Sequence, residues 1–377
     1  MNLRSTLRSQ LAPVLKQHAP AVWDGIKAVD AGLERARIAV GRHLPVVVRP
    51  QARQLDIAIT AYCNQRCIGC RYGRDFMPNS QLPWPVARAL LDDARELGFW
   101  EIRLYGGEPL LHPDVVRMVE HTATLGMEPF VTTNAVLLAE KIDALYAAGL
   151  RTISVGFYGV GERYDAYVQK RGQFERVERG IATARERYGD DISIRINWVL
   201  MRPTCTLEDL AAACDFAERY RLRMQVDLVH YSLPYFTEGP DRVLQFRPED
   251  RPAIEVVVAD ILRRKSERPE LFNMSPVALR SITDWLLKGP DMRVPCDAGQ
   301  MVWVGADGTV QLCYAAFPLG NLHETRLRDL LFTPAHVDAA RGAVALTCPN
   351  CHCRYGRRTE RHGPSARHYA RLLAEEA

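Results

Sequence analysis

Three cysteines stand within eight residues, in Ala61-Tyr-Cys63-Asn-Gln-Arg-Cys67-Ile-Gly-Cys70, close enough for all three thiols to turn onto one inorganic centre. Closed structural zinc sites and ordinary iron-sulfur sites take four protein ligands. Three without a nearby fourth describe a centre left open at one position, where an iron could bind a substrate or cofactor. A zinc loop completed by a distant Cys or His is the other reading of this spacing. A second group, Cys296, Cys313, Cys348, Cys351 and Cys353, lies toward the C-terminus, where a structural zinc ribbon could use the same residues. Cys205 and Cys214 have no partners at ligand spacing and read as buried thiols.

Elements that could position these groups follow from periodicity. Leu55 to Thr60 is a short apolar strand with the cysteine loop at its C-terminal end. Pro83 to Gly98 places Ala87, Leu90, Leu91, Ala94 and Leu97 on one helical face, with Pro near its start and Gly at its end. Glu101 to Tyr105 is a strand running into Gly106-Gly107-Glu108-Pro109. Further strands are expected at Pro129 to Thr132, Thr152 to Val155, Ser193 to Leu200 and Met224 to Val229, separated by helices that include Leu138 to Ala148, Phe174 to Tyr188 and Leu207 to Tyr220. This alternation predicts an α/β fold, a partial (β/α)6 barrel of parallel strands with right-handed crossovers. In such folds chemistry gathers at the C-terminal ends of the strands, where both the cysteine loop and the Gly-Gly-Glu-Pro stretch fall. Tyr231 to Pro252 reads as a long loop, followed by helices near Ala253 to Lys265 and Ser275 to Leu287. Met301 to Val304 and Thr309 to Leu312 flank Ala306-Asp307-Gly308, a hairpin signal.

From Leu55 to Val229 the chain resembles the radical S-adenosylmethionine (SAM) enzymes, on the Cys-x3-Cys-x2-Cys loop and on Gly106-Gly107-Glu108-Pro109 after the second strand. The resemblance implies a [4Fe-4S] cluster on Cys63, Cys67 and Cys70 that chelates SAM. It gives Gly106, Gly107, Glu108 and Pro109 the methionine amino group, with Glu108 supplying a carboxylate, and places Asn134 and Asn197 near the SAM ribose and carboxylate. Two departures stand out. The family's aromatic before the third cysteine is Gly69 here, with Tyr72 or Ile68 as candidates to fill the space, and the Ser-x-Asp-Gly common at the fourth strand is Gly156-Phe157-Tyr158-Gly159. Gly308-Thr-Val-Gln-Leu-Cys313 with Cys348-Pro-Asn-Cys351 resembles the SPASM and Twitch modules. That implies a C-terminal auxiliary iron-sulfur module containing the β-hairpin, with a second [4Fe-4S] cluster on Cys296, Cys313, Cys348 and Cys351, and Cys353 as the rival for the last place.

The implied activity is reductive cleavage of SAM to a 5′-deoxyadenosyl radical that abstracts hydrogen from a substrate. A two-electron oxidation of a small molecule, with the auxiliary cluster as electron acceptor, explains the second cluster most directly. The alternatives are peptide modification and a non-catalytic iron-sulfur or zinc protein. The molybdopterin-type rearrangement looks less similar, because that enzyme's C-terminal Gly-Gly is absent. A dry barrel interior would protect the radical. Tyr158, Asp227 and His230 are candidates to contact substrate, and an external low-potential electron donor such as flavodoxin or ferredoxin is implied.

The organisation expected is a basic helical extension over 1–53, a radical SAM core over 54–235, a linking loop and helices over 236–294, and an auxiliary module with a basic tail over 295–377. Arg4, Arg8, Lys16, Lys27 and Arg35 make the extension locally basic, so a peripheral membrane contact through it is one reading and a helix packed behind the catalytic unit the other. The tail's Arg357, Arg358, Arg361, Arg367 and Arg371 read as a solvated helical face. Among 377 residues, 47% hydrophobic and 25% charged, a formal net charge of +4 gives no argument for nucleic acid. Ten cysteines without a secretory signal, and no apolar run long enough to span a bilayer, point to a reducing, cytoplasmic setting.

Overall fold

The computed structural model describes residues 18–73, 75–230 and 243–376. Met1 to Gln17, with Arg4, Arg8 and Lys16, and the first part of the loop expected from Tyr231 lie outside the described residues. Helix α1, Pro20–Gly41, precedes the sheet. Nine strands then form one open sheet: β1 Gln54–Thr60, β2 Glu101–Gly106, β3 Glu128–Thr133, β4 Thr152–Phe157, β5 Ser193–Leu200, β6 Arg223–Leu228, β7 Met301–Val304, β8 Thr309–Cys313 and β9 Ala316–Asn321. Their order is β6-β5-β4-β3-β2-β1-β7-β8-β9. The first six are mutually parallel, as the alternation implies, and form a partial barrel.

These parallel strands alternate in character. Leu55, Ile57, Ile102, Leu104, Val131, Ile153, Val155, Ile194, Ile196 and Val226 are buried beneath the surrounding helices. The residues between them, including Asp56, Arg103, Arg195, Asn197 and Asp227, line the interior. Fully covered parallel strands usually read as unbroken apolar runs. A polar residue at every second position therefore means that the concave face encloses a polar lumen rather than a dry core.

Helix Trp84–Leu97 shows why the helices seat where they do. Pro85 lies in its first turn, Gly98 ends it at φ +90°, and Ala87, Leu90, Leu91 and Ala94 are buried. Burying each leucine stabilises by about 1.5–3 kcal/mol.

The C-terminal hairpin does not stand apart from the barrel. β7 pairs in parallel with β1, Gln54 opposite Met301 and Ile57 opposite Val304, while β8 and β9 continue the sheet antiparallel. The second cysteine group is thereby fixed to the same sheet as the first. Buried Asp93 adds a clamp, accepting from Arg326 at 2.7 Å and 3.0 Å. The helix expected over Ser275 to Leu287 is instead two, Pro276–Arg280 and Ile282–Lys288. Ser281 breaks it, its hydroxyl donating to the Ala278 carbonyl at 2.7 Å.

The tail also departs from expectation. Its first helix, Tyr355–Arg361, turns its arginines inward: Arg358 is 1% exposed, and Arg361 and Arg357 reach buried Asp297 at 2.7 Å and 3.0 Å. The solvated face is wrong for these residues because a carboxylate far upstream in sequence is buried against them.

Candidate active site: a three-cysteine mouth above a polar lumen

The cysteine loop leaves β1 and is pinned at both ends. Tyr62 N–H donates to Thr60 Oγ1 at 3.1 Å, and Ile68 N–H donates to the Tyr167 carbonyl at 3.0 Å. The end of β2 docks directly on it, Gly107 N–H donating to Thr60 O and Glu108 N–H to Tyr62 O at 2.7 Å and 2.8 Å. A Cβ on Gly106 would stand 2.2 Å from Thr60 O, and one on Gly107 2.3 Å from Tyr62 O. The two glycines are thus required by contact with the cysteine loop itself.

Cys63, Cys67 and Cys70 face one cavity of about 410 Å³, shared with Gly106, Gly107, Asn134 and Asn197. Three thiols at one mouth suit a cluster with an open position, and the cavity beside them has room and polar groups for SAM. Burial pushes the Cys63 thiol up to about 12. A bare thiol there resists ionisation until a metal compensates its charge.

Glu108 is placed otherwise than expected. It is fully buried, and its carboxylate accepts from Leu110 N at 2.9 Å, Thr133 Oγ1 at 2.6 Å and Asn134 N at 2.7 Å. Burial drives its pKa up to about 7 against the pull of these three donors. With two of these bonds on Oε1 and one on Oε2, and Pro109 buried behind it, Glu108 braces the pocket wall. The wall it braces matters: Asn134 Nδ2 donates to Asn64 Oδ1 at 2.7 Å and lies 4.0 Å from Cys63 Sγ. Glu108→Ala should therefore weaken SAM binding about tenfold or more while leaving iron content unchanged, because three hydrogen bonds to a charged group are lost. Equilibrium binding of SAM to reconstituted protein checks this, and wild-type affinity would remove Glu108 from the site.

The space beside Gly69 is taken by neither Ile68 nor Tyr72. Ile68 is 42% exposed, and Tyr72 is buried in a cluster with Met77 and Ala306. A Cβ on Gly69 would instead meet Leu244 Cδ1 at 2.8 Å and the Tyr167 hydroxyl at 2.9 Å. Tyr167, from helix Glu162–Val168, stacks on Tyr158 with centroids 4.3 Å apart. Tyr158 folds back over Gly156, whose added Cβ would lie 2.8 Å from its hydroxyl. The strand end that lacks the expected carboxylate thus presents a stacked tyrosine pair to the cavity.

Below this mouth lies a second cavity of about 510 Å³. Arg103, Tyr105, Asn197, Asp227, Leu228 and His230 line both, so the two cavities adjoin. Arg103 Nη1 lies 3.8 Å from Asp56 and its Nε donates to Thr132 at 2.8 Å. Arg195 lies over the Phe130 ring at 4.7 Å, with Ser154 Oγ 3.3 Å from its Nε. Asn197 is 9% exposed, and its Oδ1 has no hydrogen-bond partner. Burial lowers His230 to about 4 and raises Asp227, whose carboxylate accepts from Gln225 at 2.7 Å. At neutral pH His230 is therefore uncharged. Asp56, Glu101, Arg103 and Arg195 were not among the sequence candidates, although polar residues at alternate positions of buried strands were a readable signal.

Cys353 and Tyr314 line the floor of the lower cavity. Behind them burial, with the nearby Cys351 and Cys348 thiols, raises Cys313 to about 11, and Cys296 lies near Cys351 and Cys313. Cys351 is lowered to about 7, chiefly by its hydrogen bond with Cys353 and also by the Arg358 guanidinium. Arg358 additionally donates to the Val294 and Cys351 carbonyls and to Asn350 Oδ1, fixing the loop that carries Cys348 and Cys351. Cys353 lines the lower cavity and is hydrogen-bonded to Cys351; among the described residues no three His, Cys, Asp or Glu side chains stand ready to hold a single metal ion, so the auxiliary ligand set is the one the sequence pattern implies. Reconstituted protein should hold about eight iron, two four-iron clusters, and Cys63→Ala/Cys67→Ala/Cys70→Ala about half. Stoichiometric zinc without iron-sulfur absorption would contradict both assignments.

The radical SAM superfamily profile matches residues 57–217. "GTP 3',8-cyclase 2" of Mycobacterium tuberculosis H37Rv is 33% identical over 305 residues, covering 78% of this chain and 81% of that protein. "Probable GTP 3',8-cyclase" of Methanothermobacter thermautotrophicus is 35% identical over 151 residues, 39% of this chain, so the match spans only 48% of that relative's length. Among solved structures, anSMEcpe with bound AdoMet superposes with a TM-score of 0.60 at 16% identity, over 77% of this chain and 83% of that one. Streptococcus suis SuiB bound to S-adenosylmethionine superposes with a TM-score of 0.58 at 17% identity, over 78% and 67%. At such identities these two establish the fold alone. Barrel, mouth and the long cyclase match agree: the chain belongs to the radical SAM superfamily, whose cofactors are SAM and a [4Fe-4S] cluster.

Proposed function

We propose that this chain carries out a two-electron oxidation of a small polar molecule held in the barrel lumen. The observation that carries this reading is a pair of adjoining cavities, the upper lined by Cys63, Cys67 and Cys70 and the lower by Cys353, which is hydrogen-bonded to Cys351. Bound there, SAM and the two clusters supply a 5′-deoxyadenosyl radical above and an electron acceptor below. The chain's own residues hold and orient the substrate. Asn197 Oδ1 and the Asp227 carboxylate accept hydrogen bonds from hydroxyl or ammonium groups, and Asp227 can take up a released proton. Arg195, with no carboxylate within ion-pair distance among the described residues, suits an anionic group. Neutral His230 offers a hydrogen bond without adding charge. The partners on this reading are the small-molecule substrate and an external low-potential donor of the flavodoxin or ferredoxin kind.

The length of the match to proteins named GTP 3',8-cyclase favours a second reading, redox-neutral cyclisation of a nucleotide. The lower cavity carries both signs, Asp56, Glu101 and Asp227 together with Arg103, Arg195, Arg354 and Arg357, so its charge favours neither reading. Anaerobic assays with SAM and reductant separate the two. GTP should leave 5′-deoxyadenosine formation unchanged, whereas an ultrafiltered metabolite extract should stimulate it, and Asp227→Asn should lose the stimulation but keep slow uncoupled cleavage. Stimulation by GTP with a cyclised product would overturn the oxidation.

A further inference from the structure

Helix α1 is amphipathic in the reverse sense, with Asp30 and Glu34 turned to the protein and most of its large apolar residues in solvent. Glu34, 5% exposed, accepts from Gln300 Nε2 at 2.6 Å, Gln51 Nε2 at 2.7 Å and Arg37 Nη1 at 2.9 Å, while Asp30 pairs with Arg53 at 2.8 Å. Ile38 is the buried apolar residue among them. On the other side Val22, Ile26, Val29, Leu33 and Val40 are 40–65% exposed. Their intervals of four, three, four and seven place them on one stripe. Exposed Ala21, Gly25, Ala28, Ala36 and Ala39 widen the stripe, and exposed Leu44 and Val46 extend it past the helix. A contiguous apolar patch of this kind marks an interaction surface.

Charge selects what covers it. The described carboxylates of the helix, Asp30 and Glu34, are paired inward, whereas exposed Arg35 and Arg42 border the apolar arc. The preceding sequence, Met1 to Ala19, adds Arg4, Arg8 and Lys16 and no Asp or Glu, while Asp24 and Lys27 within the helix offset one another in formal charge. A second copy of this face would oppose cation to cation, and the arc is broader than the narrow seam of a coiled coil. An anionic lipid surface supplies both an apolar phase and the opposite charge.

We propose that α1 is an interfacial helix that seats the enzyme on an anionic membrane, its apolar arc in the boundary between headgroups and acyl chains. The proposal is independent of what the lumen binds. No described helix is long and apolar enough to cross a membrane, so the helix would lie on the surface. Because α1 bonds to Gln300, and Gln300 Oε1 accepts from Arg357 on the lumen floor, the lipid would lie on the auxiliary-cluster side of the barrel.

The test uses full-length reconstituted enzyme and vesicles of phosphatidylcholine, alone or mixed with phosphatidylglycerol. Wild-type protein should co-sediment with the mixed vesicles, much less with phosphatidylcholine alone, and less again as salt is raised. Leu33→Glu, at an exposed position, should cut the bound fraction about tenfold and leave the cluster spectrum and uncoupled SAM cleavage unchanged. Three results would overturn the proposal. Wild type could stay in the supernatant with both vesicles, Leu33→Glu could bind as well as wild type, or sedimentation velocity could show a dimer that Leu33→Glu dissociates in a protein that ignores vesicles. The last would assign the face to a second copy of the chain.

Discussion

Asp297→Ala protein is expected to melt far below wild type and to retain about half of its iron. Asp297 is 5% exposed and follows Cys296 directly, and it lies 2.7 Å from Arg361, 3.0 Å from Arg357 and 3.4 Å from Arg354. Burial alone would raise its pKa, but these guanidinium groups and Arg358 hold it down at about 2. Removing the carboxylate leaves several buried cations facing one another, and breaking such a site costs about 3–5 kcal/mol. Repulsion among the arginines would push helix Tyr355–Arg361 away, and with it the loop carrying Cys348 and Cys351. The first cluster sits on β1 and should survive, so its EPR signal with SAM should persist. Asp297→Asn keeps the shape and should fall between the two. The charge also sets a pH dependence: the folded pKa lies below the unfolded one, so this stability is full above about pH 4 and is lost as pH falls toward 2. Equal melting temperatures and full iron in Asp297→Ala would show that the arginines are satisfied elsewhere.

That prediction rests on contacts no periodicity could reveal. The cysteine loop, the Gly-Gly-Glu-Pro turn and the six parallel strands were legible because each is a local pattern: spacing, turn chemistry, or alternation over a few residues. Asp297 finds its arginines 57 to 64 residues downstream, and composition alone assigns a run of arginines to solvent. Tyr167 and Leu244 fill the space beside Gly69 from different elements, so no motif at the cysteines could name them. Glu108 was found as a site residue, but the direction of its carboxylate depends on Thr133 and Asn134, whose proximity is tertiary. β9 is hidden by Pro318 and Gly320, which an edge strand tolerates and a local reading takes for a turn. The lumen residues differ, because they could have been read. Gln54, Asp56, Glu101, Arg103, Arg195, Asn197, Gln225 and Asp227 occupy alternate positions of otherwise apolar strands, and only attention to strand ends left most of them out.

If the auxiliary cysteines serve the oxidation, Cys313→Ala should still cleave SAM and abstract hydrogen, yet fail to complete the product. Cys63, Cys67 and Cys70 lie at the mouth of the upper cavity, and Cys313 ends β8 on the far side of β7. The first centre should therefore survive the substitution. Expected is 5′-deoxyadenosine in excess over oxidised product, with deuterium from labelled substrate recovered in the deoxyadenosine or returned to substrate. The complication is structural, since a cluster held by residues from Cys296 to Cys351 also ties the module together. Three contacts that do not use Cys313 remain to hold it: the β1–β7 pairing, the Asp297–arginine cluster and the Asp93–Arg326 clamp. Cys313→Ala should accordingly stay folded more nearly than Asp297→Ala, and a melting curve with EPR of the first cluster establishes that before turnover is measured. A folded Cys313→Ala enzyme that forms product and 5′-deoxyadenosine in the wild-type ratio would rule out an obligatory electron-accepting role for the second centre. The lumen would then belong to a redox-neutral reaction, for which Asp227 and Asn197 hold the substrate and the auxiliary cysteines only close the floor.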